Sequence, residues 1–137
     1  MPMFVRDLIK RKPVTVRLGE SGRRAAEIMV RENIGFLPIV SPEDDRRVVG
    51  VISERDYVKA ISRGLNPLEI RVEDMGTMGH LYSVHIDAHI SEAAKLMGKY
   101  GIRHLVVVDD EGLLVGVISI RDLLNLEGLL SIMSEYS

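Results

Sequence analysis

Two nearly identical short motifs hold the side chains of this sequence that are best suited to chemistry. They occupy Gly50–Asp56 and Gly116–Asp122, and they differ only where Glu54 in the first copy becomes Ile120 in the second. Each motif runs from a hydrophobic segment into Ser-x-Arg-Asp. A carboxylate offers two acceptor oxygens, enough for two neighbouring hydroxyls of a sugar, and a Ser hydroxyl can donate to an anion. The motif is therefore suited to holding a polar ligand.

The same motif also has a purely structural interpretation. Ser53 followed by Asp56, and Ser119 followed by Asp122, have the spacing of a helix N-cap with an acidic residue three positions later. A cap would account for each copy alone. It would not account for the recurrence of strand, Gly, Ser, Arg and Asp together, which favours a binding role.

The two motifs end the two halves of an internal repeat. Ala25 aligns with Ala93 and Met29 with Met97, and the first copy has a longer turn at Ser41–Arg47. Insertions are expected in surface turns, so this difference supports the alignment.

Each half predicts the same order of elements, β-α-β-β-α. Apolar residues spaced i, i+3 and i+4 indicate helices, and nearly continuous apolar runs indicate strands buried on both faces. The predicted helices are Ser21–Glu32, Glu54–Arg63, Ser91–Tyr100 and Ile120–Leu126, and the predicted strands are Val14–Val16, Phe36–Val40, Val48–Ile52, Tyr82–Val84, Leu105–Val108 and Leu113–Ile118. We expect residues 1–66 to form repeat 1, residues 67–127 to form repeat 2, and residues 128–137 to form a C-terminal helical tail.

Composition restricts the class of protein. The chain has 137 residues, 46% of them hydrophobic and 28% charged, with a net charge of −2 and no Cys. These values are typical of a globular protein and exclude disulfides, a thiol nucleophile and a thiolate metal site. No apolar run reaches the ~20 residues of a membrane helix, and the N-terminus has no signal-peptide core, so we expect a cytoplasmic protein without a membrane partner. The net charge disfavours nucleic acid as a partner, although Lys and Arg outnumber Asp and Glu up to Arg31.

Taken in order, the repeated segments resemble a tandem pair of CBS domains, also called a Bateman module. The segments that carry the resemblance are Ala25–Met29, Asn33–Val40 and Gly50–Asp56 in the first copy, and Glu92–Met97, Gly101–Asp109 and Gly116–Asp122 in the second. The resemblance covers residues 5–127 and matches the stand-alone form, without a fused enzyme or channel domain. It implies an α/β (α+β) fold in which two β-α-β-β-α repeats pack sheet to sheet with pseudo-two-fold symmetry.

The resemblance also implies a function. CBS pairs bind adenosine-containing ligands between their repeats, with the matching Asp on the ribose and the matching Ser or Thr near the phosphate. We therefore expect a regulatory module, not an enzyme, that binds AMP, ADP or ATP and whose assembly with itself or a protein partner responds to occupancy. CBS pairs commonly dimerise through helices, so we expect a homodimer.

The two copies differ at the place where phosphate would bind. Arg103 and His104 precede a strand in the second copy, where the first copy has Gly35 and Phe36. The resemblance implies clefts that join one copy's motif to the other copy's leading strand, and the basic residues make cleft 2 the better phosphate site. Its expected lining is Lys12, Val14, Thr15, Val16, Arg17, Ile102, Arg103, His104, Val117, Ser119, Arg121 and Asp122. The weaker cleft 1 is expected to use Gly35, Phe36, Ser53, Arg55, Asp56, His80, Tyr82, Ser83, Val84 and His85.

Several alternatives stay open at this point. S-adenosylmethionine or another adenosyl ligand would leave the basic residues of cleft 2 without a phosphate. A nucleic-acid or polyphosphate binder would use the basic N-terminal third, and a purely structural dimerisation module would have vestigial clefts. Arg55 and Arg121 either reach a phosphate or pair with surface carboxylates. We predict no metal site, because the spacing of His80, His85 and His89 fits no single strand or helix face.

Overall fold

The computed structural model describes residues 4–79 and 81–125, and the chain divides into two compact units. The first, here called the repeat-1 unit, is Val14–Leu81, and the second, the repeat-2 unit, joins Met1–Pro13 to Tyr82–Ser137. The predicted α/β class is confirmed, with one sheet in each unit. Two sequence-based predictions, His80 as a site residue and the tail at residues 128–137, lie outside the described residues.

The repeat-1 unit holds a four-stranded sheet in the order β1-β2-β3-β4. Its elements are β1 (Val16–Arg17), α1 (Gly22–Glu32), β2 (Phe36–Val40), β3 (Val48–Ser53), α2 (Glu54–Ser62), α3 (Val72–Met75) and β4 (Thr77–Met78). Strand β1 is parallel to β2, and the other neighbours are antiparallel. Aromatic residues are only 4% of the sequence, and the buried core of this unit is aliphatic. It includes Val16, Leu37, Ile39, Ile52 and Val72.

Local contacts fix the start of α1 against α2. The Ser21 side chain caps α1 by accepting the Arg24 N–H at 3.1 Å. The Tyr57 hydroxyl of α2 then donates to the Gly22 carbonyl at 2.6 Å. A side chain at Gly22 would collide with the carbonyl oxygen of Pro67, so this position requires glycine. The first turn of α1, α2 and the segment after α2 are thereby held as one layer.

The repeat-2 unit holds a three-stranded sheet in the order β5-β6-β7. Its elements are a 3-10 helix (Val5–Leu8), β5 (Ser83–His85), α4 (Ile90–Tyr100), β6 (His104–Val108), β7 (Leu114–Ser119) and α5 (Ile120–Leu124). Strand β5 is parallel to β6, and β6 is antiparallel to β7, so the pattern of repeat 1 recurs. The core includes Val5, Val84, Leu105, Val107 and Ile118.

The first short helix of each predicted repeat packs in the unit that holds the rest of the other repeat. The 3-10 helix Val5–Leu8 of repeat 1 belongs to the repeat-2 unit, where the Val5 N–H donates to the Ala88 carbonyl at 2.9 Å. The matching helix α3 of repeat 2 belongs to the repeat-1 unit, where Val72 is fully buried. The predicted repeat boundaries follow the order of the chain, whereas the compact units follow contacts, so those boundaries stay a prediction.

The strands that lead into the motifs differ from expectation in their burial. Gly50 and Ile52 of β3 are buried, but Val49 and Val51, the residues that come directly before them, keep partial exposure. The same alternation holds in β7. The prediction of burial on both faces is therefore wrong for these strands, because the side chains on one face of each strand keep partial exposure although they are apolar. Among the described residues, no helix combines the length and apolar character needed to cross a bilayer.

Candidate functional site

The motif of repeat 2 lies where β7 passes into α5. Ser119 is the last residue of β7 and the N-cap of α5. Its N–H donates to Asp122 Oδ2 at 2.7 Å, and its Oγ accepts from the Asp122 N–H at 3.3 Å. Asp122 is thus fixed in the first helical turn, where the peptide dipoles favour a negative charge. The capping interpretation is confirmed for this copy.

The motif of repeat 1 has the same backbone arrangement with a different Ser hydroxyl. The Ser53 N–H donates to Asp56 Oδ2 at 2.8 Å, and Ser53 Oγ donates to the same oxygen at 3.4 Å. In both copies the cap uses Oδ2, and Oδ1 forms no hydrogen bond to any residue within the described ranges. Both aspartates are also partly exposed. Capping therefore leaves one carboxylate oxygen of each Asp for a ligand.

The residues beside each Ser carry different charges in the two units. In the repeat-2 unit, His104 pairs with Ser119 across the sheet, and the Ile120 N–H donates to the Arg103 carbonyl at 2.8 Å. Arg103 is exposed next to the motif, whereas His104 is partly buried. The backbone therefore places both basic residues next to the Ser119–Ile120 segment, and their role in binding stays a prediction.

The equivalent positions of repeat 1 are neutral or acidic. Phe36 pairs with Ser53, and the Glu54 N–H donates to the Gly35 carbonyl at 3.0 Å. The Glu54 carboxylate lies over Gly35, so closely that a side chain at Gly35 would collide with it. Where repeat 2 has a cation and an isoleucine, repeat 1 has a glycine and an acid.

The leading strands take part mainly in their own cores. Val16 is 1% exposed and Val84 is 4% exposed, so both pack inside their units. His85 Nε2 lies 2.6 Å from Asp110 Oδ1, and His85 Nδ1 accepts the Asp87 N–H at 3.0 Å. The His85 ring is therefore engaged with the turn between β6 and β7.

Tyr82, which the sequence predicts to line cleft 1, packs against another aromatic residue. Tyr82 stacks on Tyr100 at the end of α4, with ring centroids 4.2 Å apart and 25° between the planes. Lys99 lies over the Tyr100 ring, 5.2 Å from its centroid. One face of the Tyr82 ring is thus covered within the repeat-2 unit.

The predicted site residues divide between the units as follows. The repeat-1 unit contains Val14, Thr15, Val16, Arg17, Gly35, Phe36, Ser53, Arg55 and Asp56. The repeat-2 unit contains Lys12, Tyr82, Ser83, Val84, His85, Ile102, Arg103, His104, Val117, Ser119, Arg121 and Asp122. Each unit therefore brings together one motif and the leading strand of the same repeat. The assignment of both copies' residues to shared clefts stays a prediction.

Sequence reasoning missed a cavity in the repeat-1 unit. The cavity measures about 170 Å³, and it lies between α2 and the segment from α3 to β4. Asp56 lines it together with three charged residues that the motif did not indicate, Lys59, Arg63 and Asp74. Lys59 and Arg63 follow Asp56 at helical spacing, which is a detectable signal. Asp74 becomes relevant only because α3 packs beside α2.

The described ranges contain no group of three or more His, Cys, Asp and Glu side chains that could hold a metal ion.

Comparison with known proteins places this geometry in a family. The family model of the CBS domain matches residues 5–63 and 72–128. An uncharacterised protein, MK0525 of Methanopyrus kandleri, is 36% identical over 124 residues, which are 90% of this chain but only 62% of that protein. The chain therefore spans less than two thirds of the length of this curated relative.

Solved structures agree with this assignment. The CBS domain protein PAE2072 from Pyrobaculum aerophilum, solved in complex with AMP, superposes with a TM-score of 0.86 at 30% identity, covering 96% of this chain and 98% of that one. The CBS domain pair of protein MJ0100, solved with 5′-methylthioadenosine and S-adenosyl-L-methionine, gives a TM-score of 0.81 at 30% identity, covering 91% and 99% of the two chains. With two matched repeats and both motifs in place, the chain belongs to the CBS domain family.

Proposed function

We propose that this chain is a cytoplasmic regulatory module that binds an adenine nucleotide, AMP, ADP or ATP, and that occupancy changes its assembly with itself or with a protein partner. The observation that carries the proposal is the cluster at the motif of repeat 2. There the fixed carboxylate of Asp122 and the hydroxyl of Ser119 lie beside the exposed residue Arg103, whose backbone carbonyl accepts the Ile120 N–H. The complex of PAE2072 with AMP supports the choice of ligand class.

The three groups suit different parts of a nucleotide. Asp122 Oδ1 is an acceptor for ribose hydroxyls, and its charge would repel a phosphate, so the carboxylate should bind the sugar. Arg103 supplies the positive charge that a phosphate needs, with donors in a planar fork. The Ser119 hydroxyl accepts from the backbone and keeps its own proton for donation. In each motif the Asp carboxylate accepts the Ser N–H and caps the helix, and the proposed activity is binding without turnover.

An exposed apolar face on α2 supports the proposed homodimer. Val58 is 65% exposed and Ile61 is 62% exposed, and Leu65 just beyond the helix is 51% exposed. Residues at i and i+3 lie on one side of a helix, so Val58 and Ile61 form an exposed apolar stripe on α2, and Leu65 adds a further exposed apolar residue beyond its end. We propose that a second copy of the chain covers this stripe, because a two-fold dimer lets the same patch bury itself on both partners.

Calorimetric titration tests nucleotide binding. AMP, ADP, ATP and adenosine are titrated into the wild type, Arg103→Gln and Lys95→Gln, where Lys95 is a matched exposed cation on α4 of the same unit. We expect Arg103→Gln to weaken the three nucleotides by about tenfold, the loss of one charge-assisted hydrogen bond, and to leave adenosine and the Lys95→Gln variant unchanged. Mass spectrometry of the purified protein should detect a retained adenine nucleotide. The proposal fails if no nucleotide binds, or if adenosine binds as tightly as AMP to the wild type.

A further inference from the structure

Met78 in β4 fills a space that glycine leaves open on the neighbouring strand. Met78 pairs with Gly50 of β3, and its Sδ occupies the position where a side chain at Gly50 would lie. The carbonyl oxygen of Thr77 lies 2.8 Å from that same position. Gly50 begins the motif of repeat 1, so the thioether rests on the strand that ends at Ser53. This close contact depends on Gly50 having no side chain.

The same thioether is accessible to solvent. Met78 is 37% exposed, whereas Met29 and Met97 lie in the two cores and are 6% and 3% exposed. Met75 at the end of α3 is half-buried. Among the methionines that the structure describes, Met78 is therefore the one most open to a dissolved oxidant. Oxidation converts a flexible apolar methionine side chain into a polar sulfoxide.

Repeat 2 has the same contact without a sulfur atom. A side chain at Gly116 in β7 would meet Ile9 Cδ1 at 2.7 Å, so Ile9 covers Gly116 as Met78 covers Gly50. Both glycines begin their motifs. A thioether is oxidised by peroxide, whereas the hydrocarbon side chain of isoleucine is not. The two repeats therefore share one packing arrangement, and only the contact in repeat 1 contains an oxidisable atom.

We propose that Met78 is a site of reversible oxidation by hydrogen peroxide and that its oxidation weakens the attachment of β4 to β3. The sulfur is oxidised by two electrons while the peroxide is reduced: the O–O bond breaks, one oxygen atom binds Sδ, and the other leaves as water. A methionine sulfoxide reductase reverses the step with a dithiol, which becomes a disulfide as the oxygen leaves as water. The sulfoxide oxygen needs a donor, and the nearby Thr77 carbonyl is itself an acceptor, so the oxidised side chain should leave Gly50 for solvent.

Strand β4 has little else to hold it on the sheet. It is two residues long and is the last strand of its sheet. Its pairing with β3 consists of Thr77 opposite Val51 and Met78 opposite Gly50. A pairing this short is marginal without side-chain packing. We therefore expect oxidation to release β4 locally, while α3 keeps Val72 in the core of the repeat-1 unit.

Peptide mapping after graded peroxide treatment tests the site. Met78 should be oxidised at least about tenfold faster than Met29 or Met97, because a buried sulfur is reached only after local opening. At a dose that converts Met78 and spares those two, the wild type should melt at least about 2 °C lower. Met78→Ile, which introduces the residue type of repeat 2, should keep its Tm after the same treatment. Met75→Leu is the matched control from the same segment and should still show the fall.

Hydrogen exchange then tests where the structure loosens. Oxidation, or Met78→Gln as a polar substitute, should speed exchange in residues 48–53 and 77–78 and leave residues 114–119 of β7 unchanged. Treatment with a methionine sulfoxide reductase and a dithiol should restore the exchange rates and the Tm of the oxidised wild type. The inference is overturned if either buried methionine reacts as fast as Met78. It is equally overturned if oxidised Met78→Ile loses as much stability as the oxidised wild type, or if exchange quickens to the same extent in β3 and β7.

Discussion

Removing the Asp122 carboxylate should affect stability and ligand affinity by separable amounts. The structure assigns this carboxylate to the Ser119 N–H at 2.7 Å in the first turn of α5. Loss of such a cap costs about 1 kcal/mol, within a range of roughly 0.5–2 kcal/mol. For a chain of this size a loss of about 1 kcal/mol lowers the melting temperature by roughly 2–8 °C. Asp122→Ala should therefore fold, with a small but measurable fall in Tm.

In Asp122→Ala, the loss of AMP binding free energy should be larger than the loss of folding stability. If Oδ1 accepts from ribose hydroxyls, the variant loses a charge-assisted contact of about 1.5–3 kcal/mol, which weakens AMP by more than about tenfold. Asp56→Ala is the matched control, because it removes the same kind of cap from Ser53, at 2.8 Å, in the unit that has Gly35 at the position of Arg103. The two variants should show similar falls in Tm in calorimetry, but only Asp122→Ala should lose AMP in titration.

The comparison also has a clear contrary result. If Asp56→Ala weakens AMP more than Asp122→Ala does, the ranking of the two motifs by the charge beside them is wrong. If neither variant changes AMP affinity while both lose stability, the aspartates are helix caps alone. Asp122→Asn refines the second case, since it keeps an oxygen for the Ser119 N–H and should recover most of the lost Tm without recovering affinity.

Two further predictions concern other parts of the chain. Burial, and after it the negative charge of Asp56, raises the pKa of Tyr57 to about 12 from 10.0. The neutral Tyr57 hydroxyl therefore makes its full contribution to folding stability below pH 10, and this contribution is lost as the pH rises through about 12. Tyr57→Phe should cost about 1 kcal/mol in urea unfolding at neutral pH, because the bond to the Gly22 carbonyl is lost, and the gap to the wild type should narrow above pH 10; a constant gap would contradict the assignment. Ile61→Lys on the exposed stripe of α2 should convert the dimer to a monomer, as measured by light scattering after size exclusion. The control Glu111→Lys, in the turn between β6 and β7, should leave the dimer intact. If the dimer survives Ile61→Lys, α2 is not part of the interface.

The sequence predicted the repeated elements well, because each is long enough to show its period. Strand β2 begins and ends where predicted, at Phe36–Val40, and β3 and β7 each extend one residue further, to Ser53 and Ser119. The 3-10 helix Val5–Leu8, α3 and β4 were not predicted. Each is four residues or shorter, too short for a helical or strand period to register.

Of the candidate site, only the motif residues and their neighbours across the sheet could be predicted from the sequence. The register that puts His104 beside Ser119 follows from two antiparallel strands joined by a short turn, so sequence order alone indicates it. The role of Glu54 over Gly35 depends on a side-chain position that no pattern encodes. The charged cavity depends on α3 packing beside α2 and bringing Asp74 close, a contact between segments that the repeat boundary had placed in different halves.

The packing of each repeat's first short helix in the unit of the other repeat limits where the chain can be cut. Cutting the gene between the repeats would give a first fragment without Val72 in its core and without β4 along the edge of β3. A protein with one repeat of this design would need a second copy to complete its core, because the first short helix of each repeat packs in the unit of the other repeat. Because both copies lie in one chain, each unit always has the segment it needs from the other repeat, and a fragment with a single repeat would not.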